Sequence, residues 1–297
     1  MNPSPTPSPR PSPRVSVVIT TYNRSDALVA VLDALTRQTD SNFDVVVADD
    51  GSTDVHQQAI RNCAAAKALH AVHVWHPDVG FTASRVRNRG VKAASGNYII
   101  LLDGDCVPER DFIAQHKRLA QTGCFVNGSR VLLSPALTHQ VVSGALRVDG
   151  RSKSFWLMAR QRGDASKLGH LLRLPDWDIR KKPTFYWKGI RSANMAVWRE
   201  DFETIDGFDE SYVGWGHEDA DFVLRLHNAG TVRKNGFCAT EVFHLWHKEA
   251  SRNKESHNAA LVTARAEASS KLVRAAMGYS QVRVKEGVDD DVIISKL

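Results

Sequence analysis

Four clusters of acids and histidines in this 297-residue chain have the types and spacing that chemistry on a phosphorylated ligand requires. Asp103 and Asp105, one glycine apart, leave the end of an unbroken apolar run at 98–102, YIILL. Two carboxylates placed so could hold one divalent cation, and a cation there could also touch a diphosphate. Asp49 and Asp50 follow a second apolar run, DVVVA at 44–48, and also precede a glycine. Glu218 and Asp219 open an apolar-periodic stretch, and His244 and His247 lie in EVFHLWH. Each cluster has a plainer reading, since Asp-Gly-Asp is a common turn and acids favour the positive N-terminal end of a helix. Positions three apart in a strand face opposite sides, so His244 and His247 are expected to offer one metal ligand between them.

These residues need a scaffold. The run at 98–102 is too short for a helix and is bounded by Gly96 and the acidic turn, so it reads as a buried central strand. Residues 15–20 form a β-branched run ending in TTYNR, after which Ser25 or Asp26 can cap a helix with Leu28, Val31, Leu32 and Leu35 at helical spacing. The strand at 44–48 leads to a helix reaching about 69, then a weaker strand at 71–75 and a helix over 81–94. Strands alternating with helices, each strand closing in a polar loop, predict an α/β fold with a mostly parallel sheet and right-handed crossovers. Neither G-x-G-x-x-G nor the phosphate loop G-x-x-x-x-G-K-[ST] occurs, so a nucleotide would be held by the acidic loops.

Beyond residue 134 the pattern loosens into an excursion at 138–182 with a helix near 155–162. Order resumes at 186–198, in a helix over 218–228 capped near His217, and in a short strand at 241–247. An alanine-rich helix over 258–276, with Leu261, Arg265, Leu272 and Arg274, predicts a basic amphipathic surface, and the last residues read as frayed. A docked terminal helix is the preferred reading, and peripheral membrane association the second.

The net charge of +6 admits anionic partners, but the basic residues are scattered, without a long Lys/Arg block or an aromatic platform, so no nucleic acid is expected. Cys63, Cys106, Cys124 and Cys238 have no paired spacing, which argues against a zinc ribbon or a disulfide framework and suits a reducing compartment. With no apolar run of about twenty residues and no signal-peptide core, the expected location is cytoplasmic.

VSVVITTYNR, VVVADDGSTD and GNYIILLDGDC, in this order, resemble the nucleotide-sugar half of the family 2 glycosyltransferases of the A-type fold. ANMAVWREDFETIDGFDESYVGWGHEDADFVLRL resembles that family's acceptor half, in a form shared with β-1,4-galactosyltransferases and polypeptide N-acetylgalactosaminyltransferases. The resemblance covers residues 15–247 and implies a single Rossmann-like A-type domain. Its parts would be a disordered Pro/Ser tail at 1–14, a nucleotide-sugar half at 15–134, an acceptor-binding and catalytic half at 135–250, and a helical extension at 251–297.

By position, the resemblance implies that Thr20 and Tyr22 line a uracil pocket, Tyr22 by stacking, and that Asp50 accepts the uracil N3 proton. Arg24 is placed in the same donor site. Asp105 would ligate Mn²⁺ or Mg²⁺ directly, and Asp103 would serve the ribose or the metal's water. A histidine completes the ligand set, His244 preferred and His247 the alternative. Among Arg85, Arg87 and Arg89, the pair Arg85 and Arg89 shares a helix face suited to donor phosphates. Asp219 becomes the base that deprotonates the acceptor hydroxyl, with Glu218 orienting it. Trp215 offers a flat face for a sugar, Gly216 leaves room, Trp187 lines the acceptor pocket, and Asn194 contacts the donor sugar.

The expected reaction is inverting, metal-dependent transfer of a hexose or N-acetylhexosamine from a UDP-sugar to a saccharide or lipid-linked saccharide, in cell-surface polysaccharide or glycolipid synthesis. Two rivals remain. A sugar nucleotidyltransferase would need a glycine-rich basic loop where TTYNRSD stands, and a non-catalytic saccharide-binding module would leave the carboxylates without a task.

Overall fold

The apolar runs of the first hundred residues become four strands in one sheet. The computed structural model describes residues 11–187, 189–248, 255–268, 270–282 and 293–297. Residues 1–10 of the expected tail, and 251–254 and 283–292 of the expected extension, lie outside the described residues. The first units are β1 (Val15–Thr21), α1 (Ser25–Leu35), β2 (Phe43–Asp49), α2 (Asp54–Asn62), α3 (Ala64–Ala68), β3 (Val72–Trp75), α4 (Ala83–Ala93) and β4 (Tyr98–Asp103). The single helix expected up to residue 69 divides at Cys63, whose extended backbone (ψ 116°) ends α2 and precedes α3.

The chain continues through β5 (Cys106–Pro108), α5 (Phe112–Leu119), β6 (Cys124–Asn127), β7 (Ser129–Leu132), α6 (Pro135–Val142) and α7 (Lys153–Gln161). Then come β8 (Lys181–Lys182), β9 (Asn194–Trp198), α8 (Arg199–Thr204), α9 (Glu218–Asn228), β10 (Val232–Asn235), β11 (Glu241–His244), α10 (Glu255–Glu267) and β12 (Ile293–Lys296). The expected helix near 155–162 is α7, capped by the Ser152 hydroxyl, which accepts from the Phe155 N–H.

Among the described residues the main sheet runs β12-β3-β2-β1-β4-β9-β6-β10-β8. β1 pairs parallel with β2 and β4, and β2 with β3. β9 runs antiparallel between β4 and β6. Val17 and Ile19 face one core with α1, while Val18 faces the other with Val86 and Val91 of α4. Burial on both faces explains why these strands read as continuous apolar runs. Register sets Thr20 opposite both Ala48 and Asp103, so β1, β2 and β4 end level and their polar loops share one crevice.

A second sheet, β5-β11-β7, branches from the acidic turn. β6, β7 and β5 were not expected, because strands of three or four residues carry no readable period. At the C-terminus, α10 ends at Glu267, short of the expected 276. The residues expected to fray instead form β12, antiparallel to β3 with Ile293 opposite Trp75, and cover that sheet edge. No helix among the described residues is long and apolar enough to cross a membrane.

Candidate active site

The acidic turn after β4 is built by close approach. Gly104 donates its N–H to the Thr20 carbonyl at 2.7 Å, and a Cβ on it would stand 3.0 Å from that oxygen. Asp105 begins the second sheet, where His244 pairs with Cys106 across β11 and β5, and the Leu245 N–H bonds the Asp105 carbonyl at 2.9 Å. This register carries His244 to Asp105, with Nε2 3.6 Å from Oδ1. His247 also arrives, with Nε2 3.2 Å from Oδ2.

The expectation that one histidine alone would face Asp105 is therefore corrected. β11 ends at His244, so the strand alternation that would send His247 to the opposite face no longer applies. The turn beyond it is held where Thr138 Oγ1 accepts the Trp246 N–H at 2.8 Å. Ligand atoms of Asp105, His244 and His247 all lie within 4.8 Å of one another.

This donor set fits a divalent transition metal. His247 Nδ1 donates to the Lys248 carbonyl at 2.9 Å, which in the neutral ring leaves the Nε2 lone pair aimed at the Asp105 carboxylate. In that form the two acceptors are satisfied together by a shared cation. Burial also holds His244 below the usual imidazole pKa, against the pull of Asp105, so its ligating form is favoured. Two imidazoles beside one carboxylate suit Mn²⁺ or a later metal better than Mg²⁺, which prefers an all-oxygen shell.

Arg87 joins this turn to the second acidic pair. Its guanidinium lies 3.3 Å from Asp103 Oδ1 and 3.1 Å from Glu218 Oε1. Burial acts to lower the Arg87 pKa, but Asp103 and Glu218 outweigh it and raise it. Arg85 and Arg89 were expected at donor phosphates, a different role; Arg87, between them, reaches these carboxylates. Steps of two residues put it on the other side of α4, the side it shares with Val91, four residues on and packed against the sheet.

Glu218 and Asp219 open α9 after His217, whose left-handed backbone (φ 68°) turns the chain into the helix. Glu218 gives Oε1 to Arg87, while buried Oε2 has no hydrogen-bond partner among the described residues and can accept from a ligand hydroxyl. Burial, then the neighbouring charge of Glu218, raises the Asp219 pKa to about 7, with Arg87 and Arg191 opposing. A carboxylate poised there suits a general base. Arg191 went unnoticed in the sequence, where nothing distinguishes it from other scattered basic residues.

The remaining candidates divide. Trp187 lies against His217, which follows Trp215 and Gly216 in the chain, with ring centroids 5.4 Å apart. Thr20 is half-buried next to Asp103. Tyr22 is 47 % exposed and donates its hydroxyl to Asp78 Oδ2 at 2.8 Å, a bond that raises its pKa. Asp50 is buried; Thr82 donates to it from both N–H (2.9 Å) and Oγ1, and His76 Nε2 stands 3.1 Å away. Of a carboxylate's roughly four lone-pair sites, the two Thr82 bonds leave about two, since His76 Nδ1 donates to the Pro77 carbonyl and its Nε2 has no hydrogen-bond partner among the described residues. Arg24 pairs locally with Asp26 at 3.0 Å.

Asn194 requires correction. Its side chain is buried and committed: Nδ2 donates to the carbonyls of Ser129 (3.2 Å) and Thr240, and Oδ1 meets His116 Nε2 at 3.2 Å. It fastens β9 to the second sheet, and burial with these bonds leaves the amide little to offer a sugar.

Residues 16–163 match the family described as glycosyl transferase family 2, and residues 178–248 match the one described as N-terminal domain of galactosyltransferase. The chain belongs to glycosyltransferase family 2. Among its relatives is validoxylamine A glucosyltransferase of Streptomyces hygroscopicus subsp. jinggangensis, 30 % identical over 73 % of this chain and 52 % of the relative. Chondroitin synthase of Escherichia coli is 25 % identical over 79 % of this chain and 34 % of its own. This family 2 glycosyltransferase therefore spans about half or less of the length of these relatives.

Solved structures share the A-type fold. The mannosyltransferase PcManGT of Pyrobaculum calidifontis, in complex with GDP-Man and Mn²⁺, superposes with a TM-score of 0.53 at 21 % identity, over 80 % of this chain and 58 % of that one. S. aureus TarS 1–349, in complex with UDP, gives 0.54 at 15 % identity over 84 % and 64 %.

Proposed function

We propose that this glycosyltransferase moves a hexose or N-acetylhexosamine from a UDP-sugar to a hydroxyl of a saccharide or lipid-linked saccharide, with metal dependence and inversion at the anomeric carbon. The observation that carries the reading is the Arg87 guanidinium bound to both Asp103 and Glu218, which sets the acidic turn and the acidic helix start on one crevice.

Asp105, His244 and His247 would hold the metal, Mn²⁺ in preference to Mg²⁺, and a bound metal would neutralise the departing diphosphate. Tyr22 stacks on the base, Thr20 lines its pocket, and Asp50 takes the base N–H on a remaining lone pair. Asp103 receives the ribose. Glu218 Oε2 accepts from the acceptor hydroxyl, and Asp219 removes the proton as the oxygen attacks opposite the leaving group, which inverts the centre. Trp215, Gly216 and Trp187 form the sugar platform. The UDP found with TarS supports a UDP-sugar, the glucosyl transfer in the name of the validoxylamine enzyme supports a hexose, and chondroitin synthase supports a polysaccharide acceptor. Four free, buried cysteines favour a reducing, cytoplasmic setting.

The test is nucleotide release from UDP-glucose, UDP-galactose, the two UDP-N-acetylhexosamines and GDP-mannose, with and without Mn²⁺, in the wild type and Asp219→Asn. Mn²⁺-dependent UDP release that Asp219→Asn abolishes is expected. Release from GDP-mannose alone would overturn the donor, and full turnover by Asp219→Asn would overturn the base.

A further inference from the structure

α10 lies beyond residue 248, where the family matches end, and turns one face toward α9. Asn258, Val262 and Arg265 stand at positions i, i+4 and i+7, which share that face. We propose that α10 braces the acceptor side of the site, with Asn258 and Arg265 as positioning residues for the Trp215 loop and for Asp219; this rests on the reading of Asp219 as base.

Asn258 acts on the loop. It is 1 % exposed, and its Nδ2 donates to the Gly216 carbonyl at 3.0 Å, with the Val213 carbonyl at 3.5 Å. Gly214, Gly216 and His217 all have positive φ, at 83°, 103° and 68°. Such a backbone persists where its surroundings impose it, above all at His217, which has a side chain. Asn258 imposes it from one side. From the other, the Phe81 carbonyl accepts the Gly214 N–H at 3.0 Å.

Arg265 acts on the helix. It donates to Asp221 Oδ1 at 2.7 Å and pairs with Asp209 Oδ2 at 2.9 Å. Asp221, two residues from Asp219, also accepts from Arg225 Nε at 2.8 Å, and Arg225 Nη1 donates to the carbonyls of Ile205 and Gly207. Val262 fills the space between the two polar anchors against Ala220 and Leu224. The first turn of α9 is thereby held at Ala220 and Asp221. The basic surface expected of this helix is, at Arg265, an inward ion pair.

The experiment uses the full chain with Asn258→Asp, which keeps the shape but loses the N–H donors, and with Arg265→Met and Arg265→Lys. Hydrogen exchange over residues 213–222 is expected to quicken about tenfold in Asn258→Asp and Arg265→Met and to return toward wild type in Arg265→Lys. Calorimetric affinities for UDP and Mn²⁺ should change by less than about twofold. With UDP-glucose and a panel of glucose, N-acetylglucosamine, glucuronic acid and lactose, acceptor KM should rise about five- to tenfold while donor KM holds.

Wild-type protection at 213–222 in both disruptive variants would overturn the brace, as would a parallel loss of UDP affinity. Exchange and calorimetry need no turnover. A wild type that released no nucleotide would overturn the glycosyl-transfer reading, while quickened exchange with intact UDP and Mn²⁺ affinity would still support the brace.

Discussion

His247 Nε2 faces Asp105 Oδ2 at 3.2 Å, and with His244 the three side chains bring ligand atoms within 4.8 Å of one another, a geometry that a shared cation satisfies. His244→Ala and His247→Ala are each expected to weaken Mn²⁺ binding by at least about tenfold, and Asp105→Ala by more. Electron paramagnetic resonance of free against bound Mn²⁺ reads the loss directly. Full affinity in His247→Ala would return the site to a single histidine.

Asp219 links activity and stability to pH with opposite signs. As a base it works ionised, so turnover should climb with pH and level off above about 7. Asp219→Asn should cost about 100- to 10,000-fold in kcat and leave UDP affinity unchanged. Its folded-state pKa is raised, so its contribution to stability is present in full below the ordinary carboxyl value and is lost as pH rises through about 7. Asp219→Asn should therefore melt higher than wild type at pH 8, by about 2–4 °C if the ionised group costs roughly 1 kcal/mol, and nearly together with it at pH 4. Scanning calorimetry at the two pH values decides this.

Removing Arg87 leaves two carboxylates facing each other without their shared cation. Arg87→Met is expected to destabilise the fold by about 3 kcal/mol, the lower end of the range for a broken buried pair because Asp103 is one-third exposed. Arg87→Lys should recover only part of this, since a single ammonium cannot fork between Asp103 and Glu218. Urea unfolding gives the stability, and UDP titration of the folded fraction shows whether the donor crevice is preserved.

Asn194→Ala separates a structural role from a binding one. The change strands the Ser129 and Thr240 carbonyls and His116, and should cost about 1–3 kcal/mol. UDP affinity per folded molecule should stay at the wild-type value. A selective loss of donor affinity without a stability change would restore Asn194 to the donor site.

Much of the donor half was legible because its strands are buried on both faces. Continuous runs such as VSVVIT, DVVVA and YIILL have few alternatives, and the acids that follow them must emerge at one edge of a parallel sheet. The acidic start of α9 was legible too, since Glu218 and Asp219 precede a periodic apolar stretch. The short strands of the second sheet were not, because their pairing comes from partners far along the chain. The pairing of His244 with Cys106 is what delivers both histidines to Asp105.

What the amino-acid order determined by itself was therefore the α/β fold class, the sheet's central strands and the identity of the acids at their ends. Those follow from local hydrophobicity and turn chemistry. Tertiary structure decided which neighbours each side chain met: Arg87 at Asp103 and Glu218, both histidines beside Asp105, Asn194 spent on the scaffold, and Arg265 turned inward on Asp221. The physical reason is that a side chain's type is written in one position, whereas its partners are set by long-range register and helix facing.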